Sequence, residues 1–154
     1  MSIIDQDTIR LERDFPVPPN RVFDAYADPR KRVRWVVPST AEVLVYSTTD
    51  FSVGGSDDFI CGPRSDPAYT GTTRYEHIEP DAVIVCHERL HHAGRLLSLA
   101  TISWTFDRVP EGTRLTLVDQ VTAIDSARLL TGHRIGHTNA LTNLTAFLSK
   151  GGQP

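Results

Sequence analysis

One apolar stripe near the C-terminus constrains the fold more than any other feature. Gly136, His137, Ala140, Leu141, Leu144, Phe147 and Leu148 recur at helical spacing, and Lys150 with Gly151-Gly152 closes the run. A cation suits the negative end of a helix, and glycine accepts the left-handed backbone that ends one. A lone amphipathic helix must lay its apolar face on another surface. The rest of the chain offers that surface as strands. Residues 8–13 alternate apolar and polar, and residues 42–46, 51–53, 56–61, 69–77, 82–88, 96–106 and 113–122 are rich in Val, Ile, Thr, Leu and aromatics. Gly54-Gly55, Gly62-Pro63, Glu79-Pro80-Asp81, Ala93-Gly94 and Pro110-Glu111-Gly112 punctuate them. Such short connections imply antiparallel hairpins. Gly54-Gly55 stands inside an extended run and is expected to bulge or bend the sheet.

Between the first two strands, Pro16, Pro18 and Pro19 stop the ladder. Val22, Phe23 and Tyr26 then mark a short helix, and Asp28-Pro29 opens a second that runs through Trp35 and ends at Pro38. The expected class is α+β: a curved antiparallel sheet of six to seven strands wrapped around a long C-terminal helix, with two short helices after the first strand. At 154 residues and 40% hydrophobic, the chain suits one domain that needs no staple.

Composition narrows the partners. The formal charge is −3 and the pI near 6.0, so no global attraction to nucleic acid or an anionic membrane is expected. No apolar run is long enough to span a bilayer, and the first residues lack the pattern of a signal peptide. Cys61 and Cys86 form no C-x-x-C, so two reduced thiols in a cytoplasmic protein are expected.

Several ordered segments resemble a known family. They are residues 17–26 (Val17-Pro18-Pro19-Asn20-Arg21-Val22-Phe23-Asp24-Ala25-Tyr26), Asp28-Pro29 with the following Arg30 to Trp35 run, Gly54-Gly55, residues 71–81 (Gly-x-x-x-Tyr-x-x-Ile-x-Pro-Asp once reduced to fixed points) and residues 111–117. The chain is similar to the SRPBCC (START-like, Bet v 1-like) superfamily, and within it to the bacterial branch related to the heat shock protein 90 ATPase activator. The resemblance covers almost the whole chain. It implies a helix-grip fold, with the sheet gripping the C-terminal helix around a cavity. Carriers, aromatic cyclases, dehydrases and chaperone activators share that fold, so function rests on the site. Where this family usually has Gly-Trp early in the last helix, this chain has Gly136-His137.

His133 and His137 stand at i, i+4 on one helical face. If Val83 and Val85 face inwards, alternation carries His87 inwards; Leu115, Leu117 and Val121 likewise carry Asp119 inwards. Such a set is either a three- or four-ligand metal site or an acid–base cluster. No acidic residue stands near the histidines in the helix and H-E-x-x-H is absent, so no metal and no cofactor are expected. The G-x-S-x-G, P-loop and G-x-G-x-x-G patterns are also absent.

The leading expectation is a binding protein for a hydrophobic or aromatic small molecule. Its wall would comprise Trp35, Phe51, Tyr69, Trp104, Leu141 and Leu144, with His87, His133 and His137 as polar handles. The alternative is an enzyme of cyclase, dehydratase or hydrolase type. There His137 acts as acid or base, Asp119 or His133 orients it, and Tyr69 donates to a developing oxyanion. A third reading, a chaperone activator, would use the basic run Arg30, Lys31, Arg32 and Arg34, otherwise a solvated helix face. A lone domain, without the second that eukaryotic relatives carry, argues against a chaperone partner. Exposed sheet edges permit a homodimer.

Overall fold

A computed structural model of the chain describes residues 1–37 and 39–154; Pro38, expected to end the second helix, lies outside the described residues. The elements run β1 (Ile4–Phe15), α1 (Pro19–Ala27), α2 (Pro29–Arg32), β2 (Glu42–Thr48), β3 (Ser56–Pro63), β4 (Tyr69–Glu79), β5 (Val83–His92), β6 (Arg95–Val109), β7 (Gly112–Ile124) and α3 (Arg128–Ser149). The strands form one antiparallel sheet in the order β1-β7-β6-β5-β4-β3-β2. The architecture is the α+β helix-grip arrangement that the strand run and final stripe imply.

Local chemistry explains the joints. Ala93 and Gly94 both have positive φ, 50° and 77°, and lie between the paired His92 and Arg95. That is a type I′ turn, whose twist matches the strands it joins. Gly112 starts β7 at φ 148°, where a Cβ would stand 2.1 Å from the Phe15 carbonyl oxygen. Only glycine lets β7 begin so close to the end of β1.

Residues 51–53 are not a strand. Phe51 leaves the sheet to pack on Tyr75, Phe23 and Tyr26, with ring centroids 4.9, 5.9 and 5.9 Å away, so core burial overrides local β propensity. Gly54-Gly55 is a turn at the entry to β3 rather than a bulge. The Gly54 N–H donates to the Tyr75 carbonyl (2.8 Å), and the Tyr75 N–H donates to that of Gly55 (3.0 Å). Register slips at Tyr46/Thr48, Tyr75/His77 and Leu90/His91 bend the sheet instead.

Pro19 opens α1, which buries Val22, Phe23 and Tyr26. Asp28 caps α2, accepting the Arg30 N–H at 2.9 Å. That helix ends at Arg32, short of Trp35, and turns carry the chain onward. The basic run is not a uniformly solvated face. Arg30 and Arg34 are exposed, but Arg32 is 2% exposed. Its guanidinium donates to Asp57 (2.6 Å), Tyr46 (2.8 Å), the Tyr26 carbonyl (2.8 Å) and Tyr75 (3.1 Å). Burial opposes its charge, yet the surrounding tyrosines and Asp57 hold its pKa above the ordinary value.

Helix α3 begins two turns before the apolar stripe and has two unlike halves. Ala140, Leu141, Leu144 and Leu148 are buried against the core; each leucine contributes roughly 1.5–3 kcal/mol by burial. Before Ala140 no residue of α3 is fully buried, because this half stands off the sheet.

Candidate functional site

The gap beneath the first half of α3 is a cavity of about 530 Å³. Leu129, Gly132, His133, Gly136, His137 and Ala140 line it from the helix, at the i, i+3, i+4, i+7, i+8, i+11 positions of one stripe. The sheet side brings Thr73 from β4, Cys86, Glu88 and Leu90 from β5, and Ile102 and Trp104 from β6. Trp35, Tyr46, Phe59 and Tyr69 complete an aromatic rim. A mostly apolar space with a few convergent polar groups is the usual form of a small-molecule site.

Those polar groups meet at one point. Asp119 lies on β7, fully buried, between Leu117 and Val121 on the inward face. The His133 Nδ1 donates to its Oδ2 at 2.7 Å, and the His137 Nε2 donates to the same oxygen at 2.8 Å. Asp119 Oδ1 has no partner, alone in this among the buried side-chain polar atoms of the described residues. The far side of the His133 ring, Nε2, stands 3.5 Å from Ser98 Oγ.

These contacts set the charges. Burial pushes the Asp119 carboxyl up, but the bonds from both imidazoles outweigh it and hold the pKa below the carboxylate range. Burial works against a charged His133, yet Asp119 raises its pKa above the histidine value. Burial raises Glu88, whose carboxyl faces both imidazoles and Asp119. Among the described residues, Asp119, His133 and His137 offer one ligand atom each, all within 4.8 Å of one another.

Trp35 and Trp104 line the cavity, as do Tyr69, His133 and His137. Tyr69 makes no hydrogen bond to the His–Asp–His group. Asp119 does face inwards. His87 does not: it is exposed on the outer face, with Nδ1 3.2 Å from Thr101 Oγ1. The inward residues of β5 are Ile84, Cys86, Glu88 and Leu90, one register step from the expected Val83, Val85 and His87. Arg89 was the available signal, because the expected parity would also have driven its cation inwards. Phe51, Leu141 and Leu144 belong to the packed core rather than the cavity wall. Glu88 was missed through parity. The role of Arg32 was missed because nothing local distinguishes one arginine in a basic run.

Ser98, His133 and Asp119 stand in the order of a hydrolase triad, but Ser98 is 1% exposed and does not line the cavity. Ser98 is therefore not presented to a ligand as a nucleophile. Both thiols are equally quiet. Burial, with Glu88 nearby, pushes Cys86 up to about 12 and Cys61 up to about 11. At about pH 8 an aromatic disulfide reagent should label neither thiol in the folded protein and both in urea. Rapid labelling of the folded chain would contradict this environment.

No helix among the described residues is long and apolar enough to cross a membrane. No curated protein matches the chain. An uncharacterised protein from Rhizobium leguminosarum has a similar structure, with TM-score 0.85 and 23% identity over 97% of this chain and 99% of that one. The Mll3558 protein from Rhizobium loti is 28% identical over 94% of this chain and 98% of its own, with TM-score 0.83. DynU16, a protein of the dynemicin biosynthetic locus, is similar over 94% of this chain but only 48% of that one, at 19% identity and TM-score 0.69. The family model described as activator of Hsp90 ATPase homolog 1-like protein matches residues 16–149. With its helix-grip sheet and covered cavity, the chain belongs to the activator of Hsp90 ATPase homolog 1-like family of the SRPBCC superfamily.

Proposed function

We propose that the protein binds a small, largely apolar aromatic molecule in the cavity between sheet and α3, oriented by the His133–Asp119–His137 group. The observation that carries this reading is the cavity itself: about 530 Å³, walled by aromatic rings and lined on one side by His133, His137 and Glu88, with Asp119 buried behind the two imidazoles. That volume lies within the roughly 300–1,000 Å³ of small-molecule pockets. Apolar area would supply most of the affinity, and the polar end would select occupants with a hydroxyl or carbonyl to match it.

The two tryptophans of the chain, Trp35 and Trp104, both line the cavity, so intrinsic fluorescence reports its occupancy. Titration with neutral aromatic alcohols, 2-naphthol among them, should give a saturable change with one-to-one stoichiometry. Native mass spectra of the freshly purified protein should show an added organic mass that denaturation removes. If no aromatic saturates the signal and the native mass is bare, the reading fails. The same spectra separate a carrier from a cyclase, dehydratase or hydrolase. A carrier returns the molecule it was given, whereas an enzyme returns one of changed mass.

A further inference from the structure

We propose that Asp119, His133 and His137 are the protein ligands of a divalent transition-metal ion whose remaining coordination position opens into the cavity. Two imidazole nitrogens and a carboxylate are a donor set suited to zinc, iron or cobalt rather than to magnesium or calcium. The i, i+4 spacing on α3 presents both rings on one side, and β7 delivers the carboxylate from the opposite wall. Tetrahedral ligands at about 2.0–2.1 Å from zinc stand about 3.3 Å apart. The two nitrogens lie 2.7 and 2.8 Å from Asp119 Oδ2, and one ligand atom from each of the three residues falls within 4.8 Å of the others. The nitrogen–oxygen distances therefore open by about half an ångström, and the rings turn towards a shared centre, when the group becomes a coordination shell.

Three further observations point to a cation. Hydrogen bonds from the imidazoles satisfy only Oδ2, and Oδ1 of this fully buried carboxylate is left bare. A bare buried oxygen is costly, and an ion shared by the carboxylate removes that cost. Secondly, Glu88 and Glu42 also line the cavity, while its one Lys or Arg, Arg32, is already paired with Asp57. Among the described lining residues these carboxylates therefore have no unpaired Lys or Arg as counterion, a setting that suits a divalent ion. Thirdly, Ser98 Oγ stands 3.5 Å from the His133 Nε2. When Nδ1 binds a metal, Nε2 carries the proton and needs an acceptor at just that side; such a partner fixes the tautomer of a ligating histidine.

The inference rests on the cavity reading in one respect: the open position faces the space assigned to the organic ligand. The test uses the untagged full chain, stripped with chelator and titrated calorimetrically with zinc, and with cobalt(II) followed by visible absorption. One equivalent of zinc should bind, raise the melting temperature, and compete with one equivalent of cobalt in a tetrahedral or five-coordinate spectrum. Asp119→Asn and His137→Gln should each weaken zinc binding by at least about 100-fold, and Ser98→Ala by about 10-fold. His77→Gln, at an exposed histidine on β4, should leave it unchanged. Should a ligand variant not fold, zinc-induced shifts of the His133 and His137 ring nitrogens in the parent protein decide the matter. No stoichiometric zinc binding by the parent, or equal binding by the folded ligand variants, overturns the proposal. Uptake of 2-naphthol without zinc binding removes the metal alone; zinc binding without 2-naphthol uptake removes the cavity reading alone.

Discussion

Arg32→Met is expected to lower unfolding stability by about 3–5 kcal/mol, the cost of stranding one member of a buried ion pair. Asp57 is 1% exposed, and its Oδ2 accepts from Arg32 and from the Tyr75 hydroxyl. Its Oδ1 takes the Asp50 N–H at 3.0 Å. Without the guanidinium, that carboxylate stays buried with a charge and no counterion. The Arg32 plane also lies 4.8 Å from the Tyr26 ring centroid and 4.9 Å from that of Tyr46, so the substitution loses stacking as well. Each kcal/mol moves the melting temperature of a chain this size by about 2–4 °C, giving a fall of roughly 6–20 °C. Arg32→Lys should not rescue it, because an ammonium cannot reproduce the fork that reaches Asp57, Tyr46 and Tyr75 together. Adding Asp57→Asn to Arg32→Met should recover at least about 1 kcal/mol, since the amide carries no buried charge, its oxygen still accepts the Asp50 N–H, and its NH2 donates to a turned Tyr75 hydroxyl. Urea unfolding of the single and double variants measures this. A loss below about 1 kcal/mol for Arg32→Met would show that the pair contributes little to stability. Charge reversal here would unfold the chain rather than probe a docking surface; Arg30 and Arg34 are the exposed cations of the run.

Trp104→Ala is expected to cost about 3–5 kcal/mol of stability and to weaken an aromatic ligand at least about tenfold. The indole is 6% exposed. Its centroid lies 5.1 Å from Tyr26, 6.1 Å from Trp35 and 6.4 Å from His137. It therefore packs the core on one side and walls the cavity on the other, and truncation merges its volume with the space already present. Leu144→Ala makes the contrast. Leu144 is 1% exposed but lies in the packed core, away from the cavity lining. It should lose about 2–5 kcal/mol in stability while the remaining folded protein keeps its ligand affinity. Thermal unfolding paired with fluorescence or calorimetric titration separates the two effects. If Trp104→Ala binds the aromatic as tightly as the parent chain, the wall assigned to that ligand is wrong.

Much of the fold was legible because hydrophobic period and turn chemistry are local. Leu115, Leu117 and Val121 announced an inward Asp119, since apolar residues at the same parity flank it on both sides of β7. Ile102, Trp104 and Phe106 did the same on β6. On β5 both faces begin apolar, Val83 and Val85 against Ile84 and Cys86. A choice of one register step put His87 inwards and Glu88 outwards, the reverse of the structure. Phe51 and Leu144 looked like cavity wall because burial in a core and exposure to an internal space share one residue vocabulary. Arg32 gave no local sign at all: its partners come from positions 26, 46, 57 and 75.

The sequence by itself determined most of the strand run, the two short helices with the Asp28 cap of the second, the terminal helix and the i, i+4 pair on it, since each depends on residues a few positions apart. Only the tertiary structure decided that Asp119, 14 positions from His133 and 18 from His137, accepts a hydrogen bond from each. It alone placed Glu88 beside them and Arg32 out of solvent. The reason is physical: a cavity is the space left where the sheet curves away from a straight helix. Curvature comes from register slips between strands, and no single segment carries it.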